Sequence, residues 1–263
     1  MRCELKMSKV GSLRWCIVAA LLCGMHGMPH SVAGEETATL RGRFLLEGPV
    51  PDRGKLTVNK DRDVCGVYDL RDEQLVVAED GGIRDVIVYA RKLPGDGSGK
   101  EDVVLLDNKD CRFAPHVVAV QPGQTLLVKN SDPVAHNTQI SFSSNSAFNE
   151  GLPPSGTKEI KLKKSERYPV SVSCSIHPWM RGYLVVQDTP YIAITKADGT
   201  FEISGLPVGK EVEFQVAHPK SKRIDEASVS GKATKWKRGR FKKKLVAGDN
   251  DLGDLVVKPD QFK

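Results

Sequence analysis

Methionine and histidine are scarce once the first 33 residues are set aside. Of five methionines only Met180 lies beyond that point, and of six histidines only His116, His136, His177 and His218 do. Without Met-rich or His-rich tracts, the chain lacks the exposed ligand surface of a metal-delivery or metal-storage protein. No Cys-x-x-Cys-His occurs, so covalent haem attachment is excluded. Past residue 33 no apolar run approaches the ~20 residues of a membrane span. Convincing stretches of helical period are missing, and so is any long low-complexity linker.

The first 33 residues read as a leader. Lys6, Lys9 and Arg14 give a positive start, Trp15 to Cys23 is short and apolar, and Ser31-Val-Ala33 offers the small residues of a cleavage site. Leu22 stands where a lipidated Cys23 needs a small residue, which disfavours a lipoprotein. The expectation is a cleaved signal peptide, 1–33, and a periplasmic or secreted product. Of the six cysteines, Cys65, Cys111 and Cys174 then remain. An odd number in an oxidising compartment needs a fate for one thiol. If Cys174 binds a metal, Cys65 and Cys111 are free to pair, a closure worth about 4 kcal/mol at most. Two buried free thiols are the alternative.

What is present is β pattern. Short alternating or β-branched runs recur from Thr39 to Leu46 through Val86 to Ala90, Thr125 to Lys129 and Val170 to Ser173 to Glu211 to Ala217. Asp80-Gly-Gly, Pro122-Gly, Pro153-Pro-Ser-Gly and Ala197-Asp-Gly punctuate them. This spacing indicates sandwiches or barrels, and the length suggests two β units. One is expected over 83–188 and a second over 189–263. Residues 34–82 form an N-terminal β region whose Arg41-Gly-Arg-Phe-Leu-Leu resembles an opening strand of the second, as though the first were inserted into a split outer domain.

One turn concentrates chemistry: Cys174-Ser-Ile-His177-Pro-Trp-Met180, with His136-Asn137 upstream. One thiolate, two imidazoles and a weak thioether are the ligand set of a blue-copper electron-transfer centre. Zinc rarely takes a thioether. Four histidines cannot also furnish the three-copper cluster of a multicopper oxidase, so an enzyme is not expected. His136 would come from the loop after Thr125 to Lys129, and the other three ligands from a single later loop. Pro178 would stiffen that loop, and Trp179 would shield one side of the metal. Asn137 is placed to hydrogen-bond across to the Cys174 loop. His116 and His218 are read as structural.

Charge is uneven. Lys232 to Lys244 is dense in cations with Trp236 and Phe241 interleaved. A solvated hairpin is the plain reading; docking on an acidic partner or an anionic envelope polymer is the functional one, and export argues against nucleic acid.

Residues 83–188 resemble a cupredoxin. The loop Cys174-x-x-His177-Pro-Trp-Met180 is similar to the compact ligand loop of amicyanin. Leu106-Asp-Asn-Lys-Asp-Cys111-Arg-Phe-Ala-Pro-His116, His136-Asn137-Thr and Pro178-Trp-Met-Arg-Gly-Tyr-Leu-Val-Val resemble segments of exported bacterial proteins labelled methylamine utilization or plastocyanin-like. Residues 189–263 look like a carboxypeptidase-regulatory or transthyretin-like sandwich with a basic tail. The resemblance implies an all-β chain: a Greek-key cupredoxin sandwich plus a smaller one. It also implies one type 1 copper held by His136, Cys174, His177 and Met180, with electrons passing through an exposed edge of His177 to redox partners. The alternative is an extracytoplasmic copper-binding or cell-surface structural protein without a shuttle role.

Overall fold

Alternation of apolar and polar residues makes the strands. In Thr125–Asn130, Leu126, Val128 and Asn130 point inward while their neighbours do not. The computed structural model describes residues 36–95 and 102–262; the expected leader, 1–33, lies outside them. Strand β1 (Thr37–Leu46) precedes one helical turn, α1 (Arg62–Cys65), and strand β2 (Ile87–Ala90). Next come β3 (Val103–Lys109), β4 (Arg112–Ala114), β5 (Val117–Val120), β6 (Thr125–Asn130), β7 (His136–Ile140), β8 (Phe148–Leu152), β9 (Thr157–Lys161), β10 (Val170–Ser173) and β11 (Arg181–Val186). Strands β12 (Ile192–Ile194), β13 (Thr200–Pro207), β14 (Glu211–Ala217), β15 (Glu226–Val229), β16 (Lys232–Lys235), β17 (Arg240–Lys244) and β18 (Gly248–Val257) follow, and then a short 3-10 helix (Pro259–Phe262).

The architecture is all-β. Strands β3 to β11 build one sandwich from sheets ordered β5-β11-β10-β7-β8 and β4-β3-β6-β9. Leu106, Phe113, Leu126 and Val128 of one sheet meet Val118, Ile140, Val172 and Leu184 of the other. The second sandwich has sheets ordered β13-β1-β18-β15-β16 and β12-β2-β14-β17. Its core holds Phe44 against Phe201 and Trp236, ring centroids 5.6 and 6.4 Å apart. Strand β1 runs parallel to β18 and antiparallel to β13. Gly199 makes the turn before β13 at φ 82°, where a Cβ would collide with the Phe44 carbonyl oxygen.

Two expectations are corrected here. A first unit starting at residue 83 places Val86 to Ala90 in the wrong sandwich: β2 pairs with β12 and β14, because its buried face completes the outer core. The 232–244 run is not a hairpin either. Strand β16 pairs with β15 in one outer sheet, β17 with β14 in the other, and buried Trp236 anchors the crossing.

Between β1 and β2 the chain leaves the outer sandwich and lies over the inner one. Cys65 of α1 is disulfide-bonded to Cys111, Cα–Cα 5.5 Å, closing 46 residues of sequence separation. Around this bond Leu56, Leu70, Val134 and Trp179 form a small apolar cluster. Arg112 Nη2 donates to the Asp69 carbonyl at 2.7 Å. The two sandwiches meet through Ile87 and Ala217 on one side and Val117 and Val185 on the other.

Candidate metal centre

Three segments converge at one end of the inner sandwich. His136 is the first residue of β7 rather than part of the preceding loop. Cys174, His177 and Met180 occupy the turn between β10 and β11, closed by Met180 N donating to His177 O at 2.9 Å and Cys174 N to Met180 O at 3.4 Å. All four are buried, at 0, 3, 0 and 1% exposure for His136, Cys174, His177 and Met180. His136, Cys174 and His177 each present a ligand atom within 4.8 Å of the others. The two Nδ1 atoms are 2.9 Å apart, and Cys174 Sγ lies 3.9 Å from His177 Nδ1. Donors bound at about 2.0 to 2.3 Å round one metal sit about 3 to 4 Å from one another, so this set fits a single ion after small outward shifts.

The surroundings of Cys174 favour its thiolate. Asn137 N and His177 N each donate to its Sγ at 3.3 Å. Burial works against charge on the thiol, yet the contact from His136 and these backbone donors hold it below its usual value. Burial likewise disfavours the His136 imidazolium, but Asp132 and the Cys174 sulfur raise its pKa above the ordinary one.

Both imidazoles are backed by carboxylates. His136 Nε2 meets Asp132 Oδ2 at 2.8 Å, and Asp132 is itself fixed by Asp110 N at 2.8 Å and Cys111 N at 2.9 Å. Those two donors come from the turn between β3 and β4, where Asp110 and Cys111 both have positive φ, 54° and 55°, as a two-residue hairpin of this hand requires. His177 Nε2 meets Asp61 Oδ2 at 2.8 Å. Burial is the largest influence lowering the His177 pKa, with Asp61 opposing it. Such partners fix the ring orientation and strengthen the imidazole as a ligand.

This geometry corrects the exposed port. His177 is fully buried, because the segment tied down by Cys65–Cys111 lays Asp61 over the ring edge.

Asn137 joins the start of β7 to the Cys174 turn. Its Oδ1 accepts from Ser175 Oγ at 3.0 Å and Ser175 N at 3.3 Å, while its Nδ2 donates to Asn149 Oδ1 at 2.8 Å and Glu150 O at 3.2 Å. Trp179 stands beside His177, ring centroids 5.0 Å apart, and donates to Cys111 O at 3.3 Å; Pro178 is exposed in the same turn. His116 and His218 lie elsewhere. His116 Nδ1 meets Asp85 Oδ2 at 2.6 Å, and His218 is buried against Phe262 with its Nε2 3.3 Å from the Arg84 carbonyl.

Sequence reasoning missed Asp61 and Asp132. Asp132 had a signal, since it precedes His136 by four residues in a turn; Asp61 had none beyond its nearness to Cys65.

Neither a protein-family model nor a curated protein matches this chain. Solved structures are similar to part of it. A Cu-containing nitrite reductase from Thermus scotoductus SA-01 is 22% identical, TM-score 0.31, over 33% of this chain and 22% of its own length. A purple cupredoxin from Nitrosopumilus maritimus is 22% identical, TM-score 0.28, over 33% of this chain and 100% of its own. The Cu(I) form of an amicyanin variant is 17% identical, TM-score 0.30, over 38% of this chain and 98% of its own.

Proposed function

We propose that this chain is an exported one-electron carrier, not an enzyme, with one type 1 copper ion held by His136, Cys174, His177 and Met180. The observation that carries this reading is the buried Cys174 sulfur, taking two backbone N–H bonds and facing the imidazoles of His136 and His177. The donor chemistry of soft sulfur and two nitrogens suits copper better than zinc or a hard cation. Copper supplies one-electron chemistry when bound. The protein's part is to hold the donors still: Asn137 ties the loops, Asp132 and Asp61 orient the rings, and the buried site excludes water. Redox partners are proteins of unidentified kind, and the basic 232–244 run is the candidate surface for an acidic one.

Among the described residues no helix is long and apolar enough to cross a membrane. Export rests on the leader-like first 33 residues.

One observation favours a second reading, a copper-binding structural protein without shuttle activity: the cover of Asp61 over His177. The test is the visible spectrum of the copper-loaded protein. A reversible, intense thiolate-to-copper absorption, lost in Cys174→Ser and retained with a shifted potential in Met180→Ala, is expected for the carrier. A copper complex that is colourless in the oxidised form, or that does not cycle, contradicts it.

A further inference from the structure

A cleft of about 500 Å³ opens where the two sandwiches meet. It lies at the far end of β10 from the metal ligands, since Ser165 to Pro169 line it and Cys174 follows the other end of that strand. Ile87, Val185 and Ala217 line its apolar part, and Tyr89 and Tyr168 are among its walls. Six cations line it: Arg91, Arg167, Lys222, Arg223, Arg238 and Arg240.

The charges are not balanced locally. Arg91 and Arg240 share Glu213 at 3.2 and 4.0 Å, and Arg223 pairs with Asp225 at 2.9 Å. Arg167, Lys222 and Arg238 have no ion pair among the described residues; Arg167 lies over the Tyr168 ring, 5.2 Å from its centroid. Glu166 is the lone acidic residue among the lining residues. Its carboxylate is already committed to the 143–145 loop: Ser144 N at 2.9 Å, Ser143 N at 3.1 Å, Asn145 N at 3.2 Å, Asn145 Nδ2 at 2.9 Å and the Ser143 hydroxyl. It answers none of the free cations.

A second observation is independent of charge. Lys222 and Arg238 both have left-handed backbone, φ 61° and 60°, where glycine or asparagine is cheaper. Seven other described non-glycine residues also have positive φ, Asp110 and Cys111 among them in a hairpin turn, so the strain does not by itself mark the cleft; two of the three unpaired cations carry it.

We propose that this cleft binds a multiply charged oxyanion ligand, one bearing two or more phosphate or carboxylate groups, bridged between the sandwiches by Arg167 on one and Lys222 and Arg238 on the other. Its size is that of a small-molecule site, and such sites favour domain junctions. Guanidinium forks match the geometry of either oxyanion. The site does not depend on the metal.

The experiment is titration calorimetry of the full mature chain, copper-loaded and copper-free, with inorganic tripolyphosphate and with citrate. Stoichiometric binding of at least one probe is expected in both metal states, weakening as salt is raised. The tighter of the two identifies phosphate or carboxylate as the natural group. The combined variant Arg167→Ala, Lys222→Gly, Arg238→Gly should bind at least tenfold more weakly. Glycine relieves the left-handed strain, so Lys222→Gly with Arg238→Gly should melt no lower than wild type while still losing affinity. Removing the same charge outside the cleft, by Lys232→Ala, Lys235→Ala and Lys244→Ala, should change affinity less than twofold. Equal losses from both sets, or no binding of either probe, would overturn the proposal.

Discussion

Acid should weaken this fold through His218. Its ring is satisfied only when neutral: Nδ1 accepts from Lys220 N at 3.2 Å and Nε2 faces the Arg84 carbonyl at 3.3 Å. A second proton would set Nδ1–H against the Lys220 N–H. Burial pushes the His218 pKa down to about 4; Asp85 opposes this, whereas His116 and Lys220 add to it. A folded pKa below the unfolded one means that the unfolded state takes up protons first. The stabilisation is therefore complete above about 6.5 and is lost as pH falls towards about 4. Between pH 7 and pH 5 the loss comes to about 2 kcal/mol, a large share of a typical stability of about 5 to 15 kcal/mol. Burial also opposes charge on Asp85, Asp132 and Glu166, but hydrogen bonds hold all three below the ordinary carboxyl range, so they act at lower pH. Urea unfolding at pH 7, 6 and 5, wild type beside His218→Gln, isolates the effect, because Gln keeps a donor for Arg84 O and does not titrate. The difference in stability between the two proteins should shrink by about 2 kcal/mol on going to pH 5. A difference that stays constant with pH would refute the reasoning.

Further consequences follow from the metal end. Asp61→Ala should uncover the His177 edge, speed electron exchange with small soluble oxidants measured by stopped flow, and weaken copper binding by about 10- to 100-fold, as loss of such a carboxylate does elsewhere; unchanged exchange would mean that electrons leave by another face. Cys65→Ser with Cys111→Ser should cost about 2 to 5 kcal/mol in denaturant unfolding and loosen the segment carrying Asp61, seen as faster hydrogen exchange over 56–70. Protection unaltered there would show that packing around Leu56 and Leu70 suffices alone.

The candidate site was legible because three of the four proposed ligands lie in one seven-residue turn, and because methionine is otherwise missing from the chain after residue 33. Strand character was legible wherever one face is buried, as in β6, since alternation records which side is wet. Sheet membership was harder. Ile87–Ala90 is apolar almost throughout, and such a run looks the same in either sandwich; long-range pairing with β14 decides it. The basic stretch around Arg238-Gly239 has the turn signal of a hairpin. Burial of Trp236 and Leu245 instead draws its two arms into different sheets. Asp61 was invisible because it acts on a ring 116 residues away. No local pattern encodes that approach; the disulfide and its small apolar cluster do.

The measurement that bears most directly on the centre is X-ray absorption at the copper edge for the loaded full-length protein, wild type beside Cys174→Ser. One short sulfur contact and two imidazole nitrogens are expected in wild type, with the short sulfur gone in the variant. A copper shell of nitrogen and oxygen only, or a sulfur contact that survives the substitution, would contradict the assignment of Cys174 as the ligand.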